Sequence, residues 1–343
     1  MPRVVSILPQ KFFQVAGVEL PPDWDFHYQT DLTEDEIIMA CRGADFLLVP
    51  ATYPPITARI LENIPSVSLV QSGGAGYDQI DVTAAARLGL PVANAPGENA
   101  ITVAEFTIGM IIALQRHIVL SDREVKAGNY RRLREQLLAV GLKEISDIKL
   151  GLVGLGAIGR QVARLAGMLG AQVSYYDAWR ISESVETELA VIYKPLDKLL
   201  ATSDVISLHL PLNENTRGLI SSREFHIMPP GAIFINTARG ELVDQTALAE
   251  ALESGHLGGA AIDTLAPEPP PPDHPLLRLS PAALDRTLLT THLAGVTRGA
   301  FNRMLRTALA NMVRVFAGEA PIHVVNGISE ARRAADVPNR DEN

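Results

Sequence analysis

Hydrophobic residues in this chain gather into short unbroken runs, separated by stretches where apolar positions recur every three or four residues. A strand buried on both faces needs no polar alternation, so such runs are the mark of a parallel sheet, and the intervening spacing is that of helices. Runs at 4–8, 46–49, 68–70 and 91–93 predict strands, with helices over 34–41 and 82–88. The alternation resumes with strands over 148–153, 171–176, 205–208, 232–235, 259–262 and 287–290, and helices over 160–169 and 244–253. This is an α/β chain of two doubly wound parallel-sheet domains. A last helix over 298–316 can close back on the first unit, which predicts one domain from 1–98 plus 296–330 and another over 99–295. The polar stretch from Ser329 onward, 331–343 above all, reads as a solvated tail.

Residues 101–120 are apolar enough to suggest a membrane span, but Glu105, Gln115, Arg116 and His117 interrupt them. Val103, Phe106, Ile108, Met110, Ile111, Ile112 and Leu114 surround the axis, so a buried helix at a domain or subunit interface is expected. A length of 343 residues, 47% of them hydrophobic, accommodates two full cores. The net charge of -9 argues against a nucleic-acid partner, and Arg131, Arg132 and Arg134 lie among acidic neighbours that make them a solvated helix face. Cys41 is the single cysteine, which excludes internal disulfides and fits a reducing compartment. The apolar run at 4–8 is too short for a signal peptide, so a cytoplasmic protein without membrane attachment is expected.

The strand at 148–153 breaks into Gly154-Leu155-Gly156-Ala157-Ile158-Gly159. In this pattern the first glycine permits a tight bend, the second lets a pyrophosphate approach the backbone, and the third lets the next helix pack on its strand. That helix would then offer the N–H groups of Ala157, Ile158 and Gly159 to an anion. A second strand ends in Asp177, eighteen residues beyond Gly159, where a carboxylate accepts a ribose hydroxyl pair and repels a 2′-phosphate. NAD is therefore the expected cofactor, with Arg180 the one nearby feature that could soften the preference.

Ligands of an open parallel sheet bind beyond the carboxyl ends of its strands. Asn236 to Gly240, with Arg239 among them, follow one predicted strand; Asp263 and Glu268 follow another; His292 follows a third. A cation, carboxylates and an imidazole on one rim make up the inventory that hydride transfer to a ketone needs. Each residue alone has a plainer role, as an ion pair, a solvated acid or a core histidine; together they favour chemistry. In the first unit, Ser72-Gly73-Gly74-Ala75-Gly76 follows a strand; by itself it is as much a plain turn as an anion nest of successive N–H groups, and a place across a cleft from Arg239 is what would make it the holder of an acid group.

Taken in order, Gly73 to Asp78, Val103-Ala104-Glu105, Gly154 to Gly159, Ser207 to Leu212, Asn236 to Gly240, Ala266 to Pro269 and His292 to Gly295 resemble the D-2-hydroxyacid dehydrogenase family over about residues 4–326. The resemblance implies a Rossmann NAD domain and a flavodoxin-like substrate domain. It implies a catalytic triad in which His292 exchanges the proton, Glu268 orients it and Arg239 grips the substrate. It places Asp263 against the nicotinamide carboxamide, Leu210, Pro211, Thr237 and Ala238 along the cofactor, and Gly74, Ala75 and Gly76 at the substrate. Thr264-Leu265 stands where valine and phenylalanine are usual, Thr291 stands where proline is, and 280–286 is longer than typical. These departures bear on the substrate pocket more than on the reaction. Glu268 argues against the formate dehydrogenase branch, which carries glutamine there, and no regulatory extension is expected. The function expected is NAD-dependent interconversion of a small 2-keto acid and a D-2-hydroxy acid, of the glyoxylate, hydroxypyruvate or phosphoglycerate type, with no metal. A homodimer through the 101–130 helix and arm is expected. The alternatives are a dinucleotide-sensing, corepressor-like binding protein and a relative acting on another oxyacid such as phosphite.

Overall fold

The computed structural model describes residues 1–30 and 32–332. The chain divides into a unit of Met1–Asn99 completed by the chain from Val296 on, and a second unit, Ala100–Gly295.

In the first unit, β1 (Arg3–Ser6), β2 (Asp25–Tyr28), β3 (Phe46–Val49), β4 (Leu69–Ser72) and β5 (Val92–Ala93) form a parallel sheet in the order β2-β1-β3-β4-β5. β3 and β4 are buried at every residue; β3 is legible as a continuous apolar run, whereas β4 shows only Leu69 and Val70 before its buried polar residues Gln71 and Ser72. The edge strand β2 is half-buried throughout and was not anticipated. It keeps its place through aromatic rings: Trp24 stacks on Phe46 at 5.4 Å, and Phe13 meets Phe26 and Tyr28 edge-on.

The helix Arg298–Phe316 belongs to this unit although it comes last in the chain. Thr297 caps its start by accepting the Ala300 N–H at 3.1 Å. Asn311, fully buried, donates to the Gln71 side-chain oxygen of β4 at 2.8 Å and to the Ile322 carbonyl at 3.0 Å, and accepts the Ile322 N–H at 2.8 Å. Beyond it, Arg332 donates to the carbonyls of Ile64 and Val67 at 2.6 and 2.8 Å, so the expected tail is docked as far as that residue. The rest of the predicted tail, 333–343, lies outside the described residues.

The second unit holds β6 (Lys149–Val153), β7 (Gln172–Tyr176), β8 (Val191–Tyr193), β9 (Val205–Leu208), β10 (Ile233–Asn236), β11 (Gly259–Ile262) and β12 (Thr287–Leu289), all parallel, in the order β12-β11-β10-β9-β6-β7-β8. The order reverses direction between β6 and β9, and a crevice opens at the carboxyl ends of the strands at such a switch point. The short edge strand β8, half-exposed, is the second one missed.

The apolar stretch at 101–120 is not one helix. It is Ala100–Gln115 and Ile118–Lys126, bent by 57° at His117, whose φ of 48° lies in the left-handed region. The first piece is buried through Ala104, Ile108, Met110 and Ile111, which share a core with Val162, Ala163 and Ile235. Among the described residues no single helix is long and apolar enough to cross a membrane.

The Asn311 cluster predicts its own test. Asn311→Ala removes a side chain that satisfies one buried amide oxygen and two backbone groups, and we expect a loss of about 2–4 kcal/mol. Urea unfolding followed by tryptophan fluorescence in a Trp179→Phe background, where Trp24 alone emits, reads it, and an unchanged midpoint would refute the assignment.

Candidate active site

The glycine turn divides its labour by position. Gly154 has a φ of 101°, and a Cβ there would stand 2.5 Å from the His209 carbonyl oxygen. A Cβ on Gly159 would collide with the Gly154 carbonyl, so helix and strand approach only because that residue is glycine. A Cβ on Gly156 would meet nothing within 4 Å, so here the bare backbone faces open space. Gly156 caps the helix Ala157–Met168 without a side-chain bond, leaving the first N–H groups of that helix to a ligand. Such a cradle fits a dinucleotide pyrophosphate.

Asp177 stands immediately after β7 and accepts the Leu155 N–H at 2.8 Å through one oxygen, tying the turn to the neighbouring strand end. Its other oxygen receives only a long bond from the Trp179 N–H at 3.4 Å, which leaves it capacity for a ribose hydroxyl. Leu210 and Pro211 follow β9, and the Leu210 side chain lies against Gly154. Thr237 is buried, with its hydroxyl 3.0 Å from that of Thr107 on the helix Ala100–Gln115, a tether that no sequence pattern marks.

Arg239 is positioned by its neighbour. Asn236, at the end of β10, accepts the Ala238 N–H at 3.0 Å and donates to the Arg239 carbonyl at 2.8 Å, clamping the backbone between them. Arg239 donates to the Ala238 carbonyl at 2.7 Å. Gly240, next in the chain, packs against the Leu265–Ala266 peptide with no room for a side chain, which draws the Arg239 loop toward the one carrying Glu268.

His292 adopts a φ of 55°, a conformation that costs a non-glycine residue energy and that the surroundings must enforce. Asp263 enforces it. Its backbone carbonyl accepts the His292 N–H at 2.8 Å, and its buried carboxylate accepts the N–H groups of Leu293 at 2.8 Å and Ala294 at 2.9 Å, together with the Thr290 hydroxyl. The imidazole then turns Nδ1 toward Glu268, whose oxygens stand at 2.9 and 3.1 Å. A carboxylate only accepts, so Nδ1 carries the hydrogen, and Nε2 has no partner among the described residues. The His292 side chain is 26% exposed and that of Glu268 38%, so both are within reach of a ligand.

The three chemical side chains thus follow β10, β11 and β12 on one rim, and His292 pairs with Glu268. The other nearby imidazole, His209, bonds the Ser207 hydroxyl at 3.0 Å; dense packing pushes its pKa down to about 3, so it stays neutral and is no proton donor near neutral pH. Among the described residues no cluster of His, Cys, Asp or Glu is arranged to hold a metal ion. In the first unit, the nest after β4 is partly closed: the Gly74 N–H bonds the Ser72 hydroxyl at 3.3 Å, while the N–H groups of Ala75 and Gly76 have no partner among the described residues.

Residues 108–294 match the family model described as D-isomer specific 2-hydroxyacid dehydrogenase, NAD binding domain. The chain belongs to that family. It is 37% identical to a glyoxylate reductase of Korarchaeum cryptofilum over 88% of this chain and 90% of that one. It is 35% identical to a hydroxypyruvate reductase of Thermotoga maritima over 80% and 85% of the two chains. Its fold matches that of an Aquifex aeolicus D-lactate dehydrogenase, solved with NAD and lactic acid, with a TM-score of 0.79, 28% identity and 92% and 96% of the chains covered. This D-2-hydroxyacid dehydrogenase is accordingly an NAD-dependent oxidoreductase of the CH–OH group, and the glycine cradle and Asp177 are the chain's own fit to that cofactor.

One residue beside the site is unsatisfied. Thr264, which stands where valine is usual in the family, is 1% exposed, and its hydroxyl has no hydrogen-bond partner among the described residues. Thr264→Val keeps the shape and removes the stranded group, so we expect a gain of about 1 kcal/mol, seen as a raised melting temperature. A fall would show that the hydroxyl is satisfied in solution.

Proposed function

We propose that this dehydrogenase reduces a short 2-keto acid of the glyoxylate or hydroxypyruvate type, with Arg239, Glu268 and His292 as its catalytic residues. The observation that carries the reading is the 2.9 Å His292–Glu268 pair on the same strand-end rim as Arg239 and the dinucleotide turn. The names of the relatives support the substrate class.

Bound NADH supplies the hydride that reaches the carbonyl carbon. As the carbonyl oxygen takes on negative charge, His292 gives it the proton from Nε2, and the hydroxyl forms. Glu268 fixes the ring through Nδ1 and stabilises the imidazole whenever it carries both protons. Arg239 pairs with the substrate carboxylate and draws charge from the carbonyl oxygen. In oxidation the same groups act in reverse. Asp263, with its carboxylate engaged by the 290–294 loop, acts first as the anchor of His292, whatever contact it also makes with the nicotinamide. The unpartnered N–H groups of Ala75 and Gly76 have the chemistry to receive an acid group.

We expect His292→Ala and Arg239→Ala each to lower kcat/KM for glyoxylate by at least about a thousandfold while NADH titration still shows binding. Near-normal turnover in either would sink the assignment, and tight NADH binding with no activity on any keto acid would favour a sensing protein instead.

We also propose a homodimer built on the arm from Ala100–Gln115 into Ile118–Lys126 and Tyr130–Val140. Support comes from the apolar residues exposed there: Val119, Tyr130, Leu138 and Val140 are 54, 61, 65 and 77% exposed. Light scattering should give twice the chain mass, and Leu138→Glu with Val140→Glu should give one chain. A monomeric parent protein would refute this. Cys41 is buried and unpaired, its thiol pushed up to about 12 by that burial and hence inert.

A further inference from the structure

Asp177 explains why a 2′-phosphate is repelled, but the side chains around it form a second device. Arg180, three residues beyond Asp177, donates Nε and Nη2 to the two oxygens of Glu186, each at 2.8 Å. The Tyr175 hydroxyl, at the end of β7, donates to Glu186 at 2.7 Å and accepts the Ile181 N–H at 3.2 Å. The guanidinium also stands over the Tyr193 ring of β8, 5.5 Å from its centre.

Burial makes this cluster lopsided. Tyr175 is fully buried and the Glu186 side chain is 10% exposed, whereas that of Arg180 is 59% exposed. The bonds from Arg180, then from Tyr175, hold the Glu186 carboxyl down to about 2, so it is a carboxylate at any pH at which the protein works. A mostly buried carboxylate that loses its bidentate partner is left uncompensated, which is far costlier than the loss of an exposed cation's contact. Arg180 is thus free to move sterically but bound electrostatically.

In this fold the adenosine ribose lies at the carboxyl end of this strand, and an arginine nearby is what accommodates a 2′-phosphate. We propose that Tyr175 and Glu186 form a latch that withholds Arg180 from the ribose, so that the choice of NAD over NADP rests on a cation held back as well as on the Asp177 charge. A 2′-phosphate entering here meets one like charge and finds the compensating guanidinium already spent on Glu186. The latch depends on the dinucleotide site alone and not on the keto acid proposed above.

The test reads binding without turnover. Calorimetric titration of the intact protein with ADP and with 2′,5′-ADP, in an Asp177→Asn background that removes the repulsion, isolates the contribution of Arg180. Adding Glu186→Gln should tighten 2′,5′-ADP about tenfold while leaving ADP unchanged, and adding Arg180→Ala as well should abolish the gain. Tyr175→Phe leaves the ion pair in place and guards against a folding loss in the glutamine variant; it should give a smaller gain, about threefold, in the same direction. The ratio of kcat/KM for NADPH over NADH should follow the same order. The latch is overturned if neither Glu186→Gln nor Tyr175→Phe favours 2′,5′-ADP, or if the gain survives the loss of Arg180.

Discussion

The site depends on one buried carboxylate. Asp263, at the end of β11, gathers three donors from the 290–294 loop onto its side chain and a fourth, the His292 N–H, onto its backbone carbonyl. Without those bonds nothing nearby would hold a histidine at a φ of 55°, and the imidazole would lose its aim at Glu268. The strain at His292 is therefore offset by hydrogen bonds to a group that touches neither proton nor hydride. Chemistry at this rim is only as well defined as the loop that Asp263 holds.

That dependence explains which parts of the site were legible beforehand. Arg239 and Glu268 follow largely buried strands and His292 follows a short, half-buried edge strand that still reads as a strand, so their sharing of a rim could be read from strand order and the rule that ligands sit at carboxyl ends. The three glycines were equally legible, because bend, approach and packing each forbid a side chain in a different way, and the geometry repeats that division residue by residue. The anchoring role of Asp263 was not legible, since its partners are mostly backbone N–H groups that leave no mark on side-chain spacing. The Thr107–Thr237 tether and the Glu186 cluster escaped for a related reason: each joins polar residues far apart in the chain or buried without periodicity.

The fold shows the same division. Interior strands such as β3, β4, β9 and β11 are buried at every position and announce themselves by short runs with few or no polar residues. The edge strands β2 and β8 are half-exposed, so their composition mixes charges and aromatics and matches neither strand template. The bend at His117 was hidden because apolar periodicity resumes on its far side, and only a left-handed residue reveals the break.

The cluster at Asn311 carries a consequence for how the molecule is made. The second unit is one uninterrupted stretch, so it has everything it needs once residue 295 has left the ribosome. The first unit begins earlier and finishes later, because the Gln71 side-chain oxygen gains its bond from Asn311 only when residue 311 emerges, although its amide group already donates to the Ser72 and Ala93 carbonyls. Half of a core must therefore wait through the synthesis of a whole domain with its aromatic face uncovered. The part of the chain born first is the last to be complete, and it is there, rather than at the chemistry, that a growing chain most needs protection from its neighbours.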